Sequence, residues 1–318
     1  MPSWGVYPTL GVQIMPNAVY IIKRQRRGGR TGSPALCAKD HIPLPDGVVV
    51  ADRLGDPLQL FDALKAWQTQ GGPRRGRVFL QMPLGHYILR AVTLPKVRRR
   101  ELGTLIATEQ RLGNLVPLAD AVLAYDLLDE APDHVRAAVT AVERKTVAAY
   151  VDVFTALGYR VAGVRHPAYG YLRALQVAGA PLSDVTLLIV RSRSGEEAIL
   201  YDRGKPEFIR TLSREPDDAA GGAIDVPFVE RLERFTRTTL HEDGRAIERI
   251  WVCDETGTAE AFLAELRANF PEQAIERWPD RLKEAPLGDW LAFGALSAGR
   301  AGFSGAAGGR SPRTSVTA

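Results

Sequence analysis

The sequence predicts an α/β (α+β) fold of two lobes, with a small α+β subdomain inserted into the first lobe. Three observations support this prediction. A run of strands followed by a helix and another strand occurs twice, although no strong internal sequence identity accompanies the repeat. A compact block of mixed elements lies between the two copies. The 318 residues, 45% hydrophobic and 25% charged, are sufficient for two buried cores.

The first region, residues 1–86, is predicted to consist mainly of short strands. Apolar or alternating runs separated by turns are YPTLGVQI, AVYIIKR, PALCAKD and GVVVADR. A helix is predicted in DPLQLFDALKAWQTQGG, because Pro57 lies near its start and apolar residues recur on one face. The strand GRVFLQMP completes this region.

The second region, residues 87–165, is predicted to be the inserted α+β subdomain. Its strand YILRAVTLP precedes a helix in RRRELGTLIATEQRLGNLVP and two strands, DAVLAYDLLDE and HVRAAVTAVE. The helix RKTVAAYVDVFTALG follows, and Gly158 is expected to end it.

The third region, residues 166–299, is predicted to be the second lobe, with its own insertion reduced. It has a helix in AYGYLRALQVAG, three consecutive strands within 184–214 and a helix in PFVERLERFTRTTLHEDG. The strands IERIWVCDE and QAIERWP alternate with the helices TAEAFLAELRANF and LGDWLAFGALSAG. Residues 300–318 are small, polar and basic, so a disordered tail is predicted.

Composition favours a cytoplasmic protein without a catalytic or metal centre. The two cysteines lie far apart, and neither a signal peptide nor an apolar run of membrane-spanning length is visible. The histidines have no helical metal-ligand spacing, and each is expected to lie at a surface or turn. These residues are Cys37, Cys253, His41, His86, His134, His166 and His241. No catalytic residue and no metal ligand is therefore predicted.

Basic residues occur in the runs KRQRRGGR, PRRGR and KVRRR, and the formal net charge is +4. Nucleic-acid binding favours interleaved aromatic residues or a charged helix, which these runs lack, so no specific nucleic-acid partner is predicted. Solvated loop tips explain the runs most simply. The alternative is peripheral attraction to anionic lipid headgroups.

The order of turns and strand ends resembles the type IV pilus assembly protein PilM family. The residues that carry the resemblance are Pro45-Asp46-Gly47, Asp56-Pro57, Leu94-Pro95, Glu109, Pro117 and Tyr125. The resemblance covers roughly residues 10–300 and is densest between 41 and 174. It implies an actin-like (ribonuclease H-like) fold, a position beneath the inner membrane and binding of the N-terminal cytoplasmic tail of PilN. Many members of the family also bind ATP.

In this family the first phosphate hairpin reads Gly-Ile-Asp-Ile-Gly-Ser, which matches Gly11 to Pro16 here. Gln13 replaces the aspartate, although magnesium prefers carboxylate, water and phosphate oxygens. Met15 replaces the glycine and would fill the space of a phosphate. Pro16 replaces the serine and has no backbone N–H to donate. We therefore interpret this hairpin as the remnant of a phosphate loop.

The second phosphate hairpin, Asp-Ile-Gly-Ala-Thr-Thr in relatives, matches the run from Val190 to Gly195. Val190 replaces its aspartate and Ser192 its glycine. The alternating Arg191 and Arg193 are interpreted as a solvated face. The segment CDETG replaces the adenosine-binding glycines, and its acidic residues, Asp254 and Glu255, would repel a nucleotide. Neither ATP nor magnesium is expected as a cofactor.

The resemblance and the altered hairpins together predict a cytoplasmic, non-enzymatic scaffold of a type IV pilus-like machine. Its expected partner is a PilN-like single-span membrane protein, with other inner-membrane platform components nearby. Pilus assembly, twitching motility and DNA uptake (competence) remain open. The alternatives are a functional actin-like ATPase with divergent loops and a relative of type II secretion protein L. The usual transmembrane segment of that relative is not visible here, which counts against it.

Overall fold

The computed structural model describes residues 8–23, 37–50, 53–192, 195–212, 230–234, 244–255, 257 and 259–297. These residues form two compact units. Unit 1 contains the described residues up to 178 and those from 281 onward, and unit 2 contains those from 179 to 280. Each unit is built around its own five-stranded sheet.

Unit 1 contains ten strands and five helices among its described residues. The strands are β1 (Thr9–Met15), β2 (Ala18–Lys23), β3 (Ala38–Pro43), β4 (Val49–Val50), β5 (Arg53–Leu54), β6 (Arg77–Gln81), β7 (Ile88–Pro95), β8 (Ala121–Glu130), β9 (His134–Glu143) and β10 (Arg160–Val164). The helices are α1 (Pro57–Thr69), α2 (Arg99–Arg111), α3 (Arg144–Ala156), α4 (Pro167–Ala178) and α6 (Leu287–Ser297).

Unit 2 contributes the remaining strands and helix α5. They are β11 (Val185–Ser192), β12 (Gly195–Asp202), β13 (Lys205–Leu212), β14 (Arg249–Asp254), α5 (Ala259–Asn269) and β15 (Ala274–Arg277). Residues 230–234 are also helical. Short 3-10 turns occur at Leu84–His86 and Asp280–Glu284.

The two five-stranded sheets have the same topology. The order in unit 1 is β3-β2-β1-β6-β10, and in unit 2 it is β13-β12-β11-β14-β15. In each sheet, the first three strands of this order are antiparallel to their neighbours. The last two strands lie parallel to the central strand, which is β1 in unit 1 and β11 in unit 2. The structure thus contains the predicted duplication of strand order.

One face of the unit 1 sheet is covered by α1 and α3. Asp56 caps α1 by accepting hydrogen bonds from Leu58 N at 2.9 Å and Gln59 N at 3.0 Å, which satisfies two amide groups at the helix start. Leu60 and Leu64 of α1 are fully buried. They pack with Tyr150 and Phe154 of α3 and with alternate residues of β1 and β6. Gly158 has φ +88° directly after α3, as its predicted role requires.

The opposite face of this sheet is covered by α6, which also packs against α4. The approach is close: a Cβ added to Gly11 would lie 2.0 Å from the carbonyl oxygen of Ala292. Similarly, a Cβ on Gly294 would lie 2.3 Å from the Cα of Gly170. Glycine at these positions allows backbone-to-backbone packing. The chain therefore returns to unit 1 after unit 2.

This packing differs from the predicted boundaries of the second lobe, residues 166–299, because α6 covers the first sheet and α4 packs against α6. Likewise, α3 packs on α1, and β10 pairs with β6, so residues 144–165 of the predicted insertion also join the first sheet. The part with its own sheet is the β7-β9-β8 segment with α2. Sequence periodicity identifies helices but cannot show which sheet a helix covers.

The small sheet β7-β9-β8 buries one face against α2. Leu102 and Ile106 of α2 pack on Val135, Val139 and Ala141 of β9. On its other face, Val122 and Val142 join the main core of unit 1. This arrangement is the inserted α+β subdomain that the sequence predicts.

Some predicted elements differ in detail or lie outside the described residues. The strand predicted at PALCAKD is shifted to Ala38–Pro43, where it pairs with β2, and GVVVADR forms only the short β4 and β5 pair. The basic tip at 24–36, most of the helix predicted at 227–244 and the tail 300–318 lie outside the described residues. In the described part of the chain, every helix is too short or too polar to cross a membrane.

Candidate functional site

The first candidate hairpin joins β1 to β2 in unit 1. Met15 pairs with Ala18, so the turn consists of Pro16 and Asn17, both exposed. The Asn17 carbonyl accepts a hydrogen bond from Leu44 N at 2.9 Å. The turn is thus tied to the segment after β3. Gly11, matched above to a phosphate-loop glycine, has a packing role here because α6 lies against it.

Gln13, at the position of the expected aspartate, is 2% exposed. Its Nε2 donates to the carbonyl of Ile14 at 2.6 Å, whereas its Oε1 has no partner among the described residues. Gln81 of β6 is the Cα partner of Gln13 in the parallel pair, is fully buried, and has no partner for either amide atom among the described residues. The sequence reading missed Gln81, which only strand pairing places beside Gln13.

The second candidate hairpin joins β11 to β12 in unit 2. Ser192 pairs with Gly195, so its loop has the same length as the first. By this register and by the parallel pairing, Val190 occupies the position of Gln13, and Ser192 that of Met15. Val190 is buried. Ser192 Oγ donates a hydrogen bond to the Gly195 carbonyl oxygen at 3.3 Å.

Arg191 is 1% exposed, and its expected solvated position is therefore wrong. Its guanidinium lies 3.6 Å from Glu196 Oε1 and 3.4 Å from Asp254 Oδ1. It also stacks over the Phe262 ring, 4.0 Å from the centroid. A buried cation needs such partners, because an unpaired charge is costly inside a protein. Asp254 thus contacts an internal cation. Arg193 lies outside the described residues.

The same strand positions are filled by opposite chemistry in the two units. The antiparallel register equates Arg191 and Glu196 of unit 2 with Ile14 and Val19 of unit 1. Extending the parallel register by one residue equates Asp254 with Met82, and the three unit 1 residues are fully buried. On the opposite face, Gln13 and Gln81 correspond to Val190 and Cys253. At the positions matched to the family's aspartate and glycine, the described residues hold Gln13 and Met15 in the first hairpin. In the second hairpin these positions hold Val190 and Ser192. The described residues contain no group of three metal-ligating side chains.

The junction of the small sheet with the main sheet contains buried aromatic and titratable side chains. Tyr87 Oη donates to the Arg165 carbonyl at 2.8 Å and accepts from Met82 N at 3.2 Å. The His166 ring lies 4.6 Å from the Tyr87 ring, and its Nδ1 accepts from Ala168 N at 3.0 Å. Burial lowers the pKa of His166 to about 3.

His166 therefore differs from the predicted surface position, whereas His86 lies in the short 3-10 turn Leu84–His86. His166 is 2% exposed and caps α4. His86 is half-buried and lies 3.2 Å from the Tyr150 hydroxyl. Burial, with a smaller contribution from Arg53, lowers its pKa to about 4. Both are neutral at pH 7. Glu196 and Glu197 of β12 are also buried.

The outer half of the small sheet is open on the face opposite α2. Leu89 at the inner end of β7 is buried, Ala91 is half-buried, and Thr93 is exposed. Beside this face, Arg165 lies over the Phe79 ring at 5.0 Å. Burial lowers the pKa of Arg165, and the nearby Asp126 carboxylate opposes that shift. We call this surface, formed by Phe79, Ala91, Thr93, Asp126 and Arg165, the junction surface.

Comparison with solved structures places this geometry among known folds. A chain of the "PilM-PilN type IV pilus biogenesis complex" matches 91% of this chain and 98% of its own length, with a TM-score of 0.65 and 16% identity. The cytoplasmic domain of EpsL, an inner membrane component of the type II secretion system of Vibrio cholerae, matches 92% of this chain and 97% of its own length. Its TM-score is 0.51 and its identity is 12%. The fold is actin-like. The resemblance predicted from the sequence is confirmed at the level of the fold.

A third structure, a Bacteroides thetaiotaomicron protein described as having an actin-like ATPase fold, matches 91% of this chain and 95% of its own, with a TM-score of 0.48 and 9% identity. No protein-family model and no curated protein matches the sequence.

Proposed function

We propose that this chain is a cytoplasmic, actin-like scaffold of a type IV pilus-like machine, peripheral to the inner membrane. In this proposal it binds the N-terminal cytoplasmic tail of a PilN-like single-span membrane protein and does not need a nucleotide. Its role would be in pilus assembly, twitching motility or DNA uptake. The observation that carries the proposal is the fold similarity to a chain of the PilM-PilN complex over nearly its full length.

Independence from nucleotide is supported by the contents of both hairpins. Phosphate binding uses backbone N–H groups and small residues that leave space for the oxygens. Here Pro16 lacks the N–H, and Met15 adds a side chain at the first turn. At the second hairpin, the buried Arg191 is already neutralised by Glu196 and Asp254. These ion pairs therefore support a structural role for Arg191.

The junction surface is the site we propose for the membrane-protein tail. Within the described residues, β7 pairs only with β9, so its other edge has no strand partner. An extended peptide forms main-chain hydrogen bonds along such an edge and places alternate side chains in pockets. Because a disordered tail must become ordered, we expect modest affinity, and membrane tethering would raise its effective concentration.

The test is calorimetric titration of the full chain with a synthetic tail of the PilN-like protein encoded nearby. Thr93→Glu places a charge on the exposed outer part of the junction surface and is expected to weaken binding at least tenfold, or about 1.4 kcal/mol. Thr104→Glu introduces the same change on the exposed side of α2 and is the matched control. It should leave the affinity unchanged.

The titration is repeated with and without ATP and magnesium, and equal affinities are expected. Binding that appears only with ATP would instead support the alternative, an actin-like ATPase with divergent hairpins. Absence of binding under both conditions would contradict the proposed partner. Binding to the corresponding tail of a type II secretion component, but not to the PilN-like tail, would favour the secretion alternative.

A further inference from the structure

Four exposed arginines converge at the amino ends of β6 and β10 in unit 1. Arg77 and Arg160 are Cα partners in the parallel pair, and Arg74 and Arg75 lie in the loop just before β6. A Cβ added to Gly158 would lie 3.2 Å from the Arg74 carbonyl oxygen and 4.0 Å from the Arg75 side chain. The loops before the two strands therefore touch. We call Arg74, Arg75, Arg77 and Arg160 the arginine patch.

The arginine patch differs from the other described basic run in its ion pairing. Near the start of α2, Lys96 and Arg99 both contact Glu130, at 2.5 and 3.1 Å, and Arg100 contacts Glu101 at 3.4 Å. Among the described residues, no carboxylate forms an ion pair with any member of the arginine patch. Arg77 lies over the Phe79 ring, 5.8 Å from its centroid. The positive charges of the arginine patch are therefore not neutralised within the described protein.

The backbone beneath the arginine patch is held by several contacts. Tyr159 Oη donates to the Pro73 carbonyl, and the Tyr159 ring stacks on Trp67. Arg77 N donates to Pro8 O and Arg160 N to Gly76 O, both at 2.9 Å. The loops are thus fixed, while the arginine side chains extend into solvent. A fixed cluster of one sign of charge is suited to a polyanionic surface.

We propose that the arginine patch binds the surface of an anionic phospholipid bilayer. Arginine favours phosphate because its planar guanidinium donates paired hydrogen bonds. The patch lies on strand ends and a loop rather than on a helix that enters a groove, and it has no exposed aromatic side chain among the described residues for stacking on bases. These features favour lipid headgroups over nucleic acid. This inference does not depend on the proposed peptide partner.

The test is flotation of the full chain with phosphatidylcholine vesicles, with and without phosphatidylglycerol. Each arginine near an anionic surface contributes roughly a fivefold change in partitioning. Arg74→Ser/Arg75→Ser should therefore lower partitioning to the anionic vesicles by roughly 25-fold. The matched control, Arg99→Ser/Arg100→Ser, removes the same charge from an ion-paired region and should change partitioning by less than about twofold. Both variants change exposed side chains, so their melting temperatures should equal that of the native protein.

High salt should abolish binding of the native protein, because the screening length falls to about 3 Å at 1 M salt. Equal flotation with neutral and anionic vesicles would overturn the proposal, as would equal losses in the two double variants. A mobility-shift arm with single-stranded DNA tests the other polyanion: DNA binding without vesicle binding also overturns it. The vesicles contain no protein, so failure here leaves the peptide titration unaffected.

Discussion

The two five-stranded sheets share one strand order, but equivalent positions at their hairpins hold apolar side chains in one unit and charged side chains in the other. In unit 1 the face covered by α1 and α3 is apolar at Ile14, Val19 and Met82. In unit 2 the same positions hold the ionic cluster Arg191, Glu196 and Asp254 beneath α5. The polarity of the other face is also reversed, since unit 1 places two glutamines where unit 2 places a valine and a cysteine.

This comparison shows that strand order and the chemistry of the hairpins are separable. Burial requires only that each polar group find a partner or be replaced by an apolar one. The duplicated topology therefore tolerates an apolar triad in one unit and an ion cluster in the other. Exchanging the two solutions, and measuring each unit separately by hydrogen-exchange mass spectrometry, tests how far the equivalence extends.

The largest expected effect is in the ionic cluster of unit 2. Arg191→Ile leaves Glu196 and Asp254 buried without their cation, and we expect a loss of about 3–5 kcal/mol in the stability of unit 2. The triple variant Arg191→Ile/Glu196→Val/Asp254→Met copies unit 1 and should recover most of that loss. Hydrogen exchange of the β11 and β14 amides measures the stability of unit 2 in both variants. A single variant as stable as the native protein would show that Arg191 is not a structural cation.

The second effect is a pH dependence of unit 1 that arises from His166. Burial lowers the pKa of His166 to about 3 in the folded chain. In the unfolded chain the imidazole has its ordinary pKa near 6.5, so between pH 6.5 and 3 it binds a proton that the folded chain does not bind. The stability contribution is present above pH 6.5 and is lost as pH falls toward 3, by about 1.4 kcal/mol for each pH unit.

His166→Asn keeps an acceptor for the start of α4 and removes this titration. Its stability in unit 1 should fall less steeply between pH 6.5 and 4.5 than that of the native protein, measured by amide exchange of β6 and β10. Equal slopes for His166→Asn and the native protein would contradict a buried, neutral His166.

The third effect concerns Gln81 of unit 1, whose side-chain amide has no partner among the described residues. Gln81→Met keeps a flexible side chain of similar size and removes two buried polar atoms, so we expect unit 1 to gain roughly 1 kcal/mol. Gln110→Met is the control: the Gln110 amide bonds to Val116 and Leu118 main-chain atoms, so its loss should destabilise. Denaturant unfolding measures both. If Gln81→Met also destabilises, a buried water or ligand satisfies Gln81.

The smallest expected effect is that of nucleotide, because the positions matched to phosphate-loop aspartates hold Gln13 and Val190. ATP with magnesium should leave the melting temperature unchanged across a titration. Ligand that binds only the folded state raises stability by an amount that grows with its concentration. A saturable rise would therefore show that one of the two hairpins still supports nucleotide binding.

Much of the fold followed from the sequence because its signals are local. Period-two and period-3.6 apolar patterns predicted the strands and helices, Asp56-Pro57 marked the start of α1, and Gly158 marked the end of α3. The order of turns and strand ends along the sequence, matched most densely between residues 41 and 174, indicated the actin-like fold, which the structure confirms. The replacements at Gln13, Met15 and Pro16 are likewise visible in sequence alone, although their effect on nucleotide stays a prediction.

Tertiary structure decided which distant residues meet and which faces are buried. Alternating arginines in a strand suggest solvent, but β14 places Asp254 beside Arg191, and α5 places Phe262 over it. Gln81 becomes the neighbour of Gln13 only through parallel pairing across more than sixty intervening residues. Gly11 resembles a phosphate-loop glycine in sequence, yet the return of α6 gives it a packing role. Local patterns fix the elements of this protein, whereas long-range pairing determines the environment of each polar side chain.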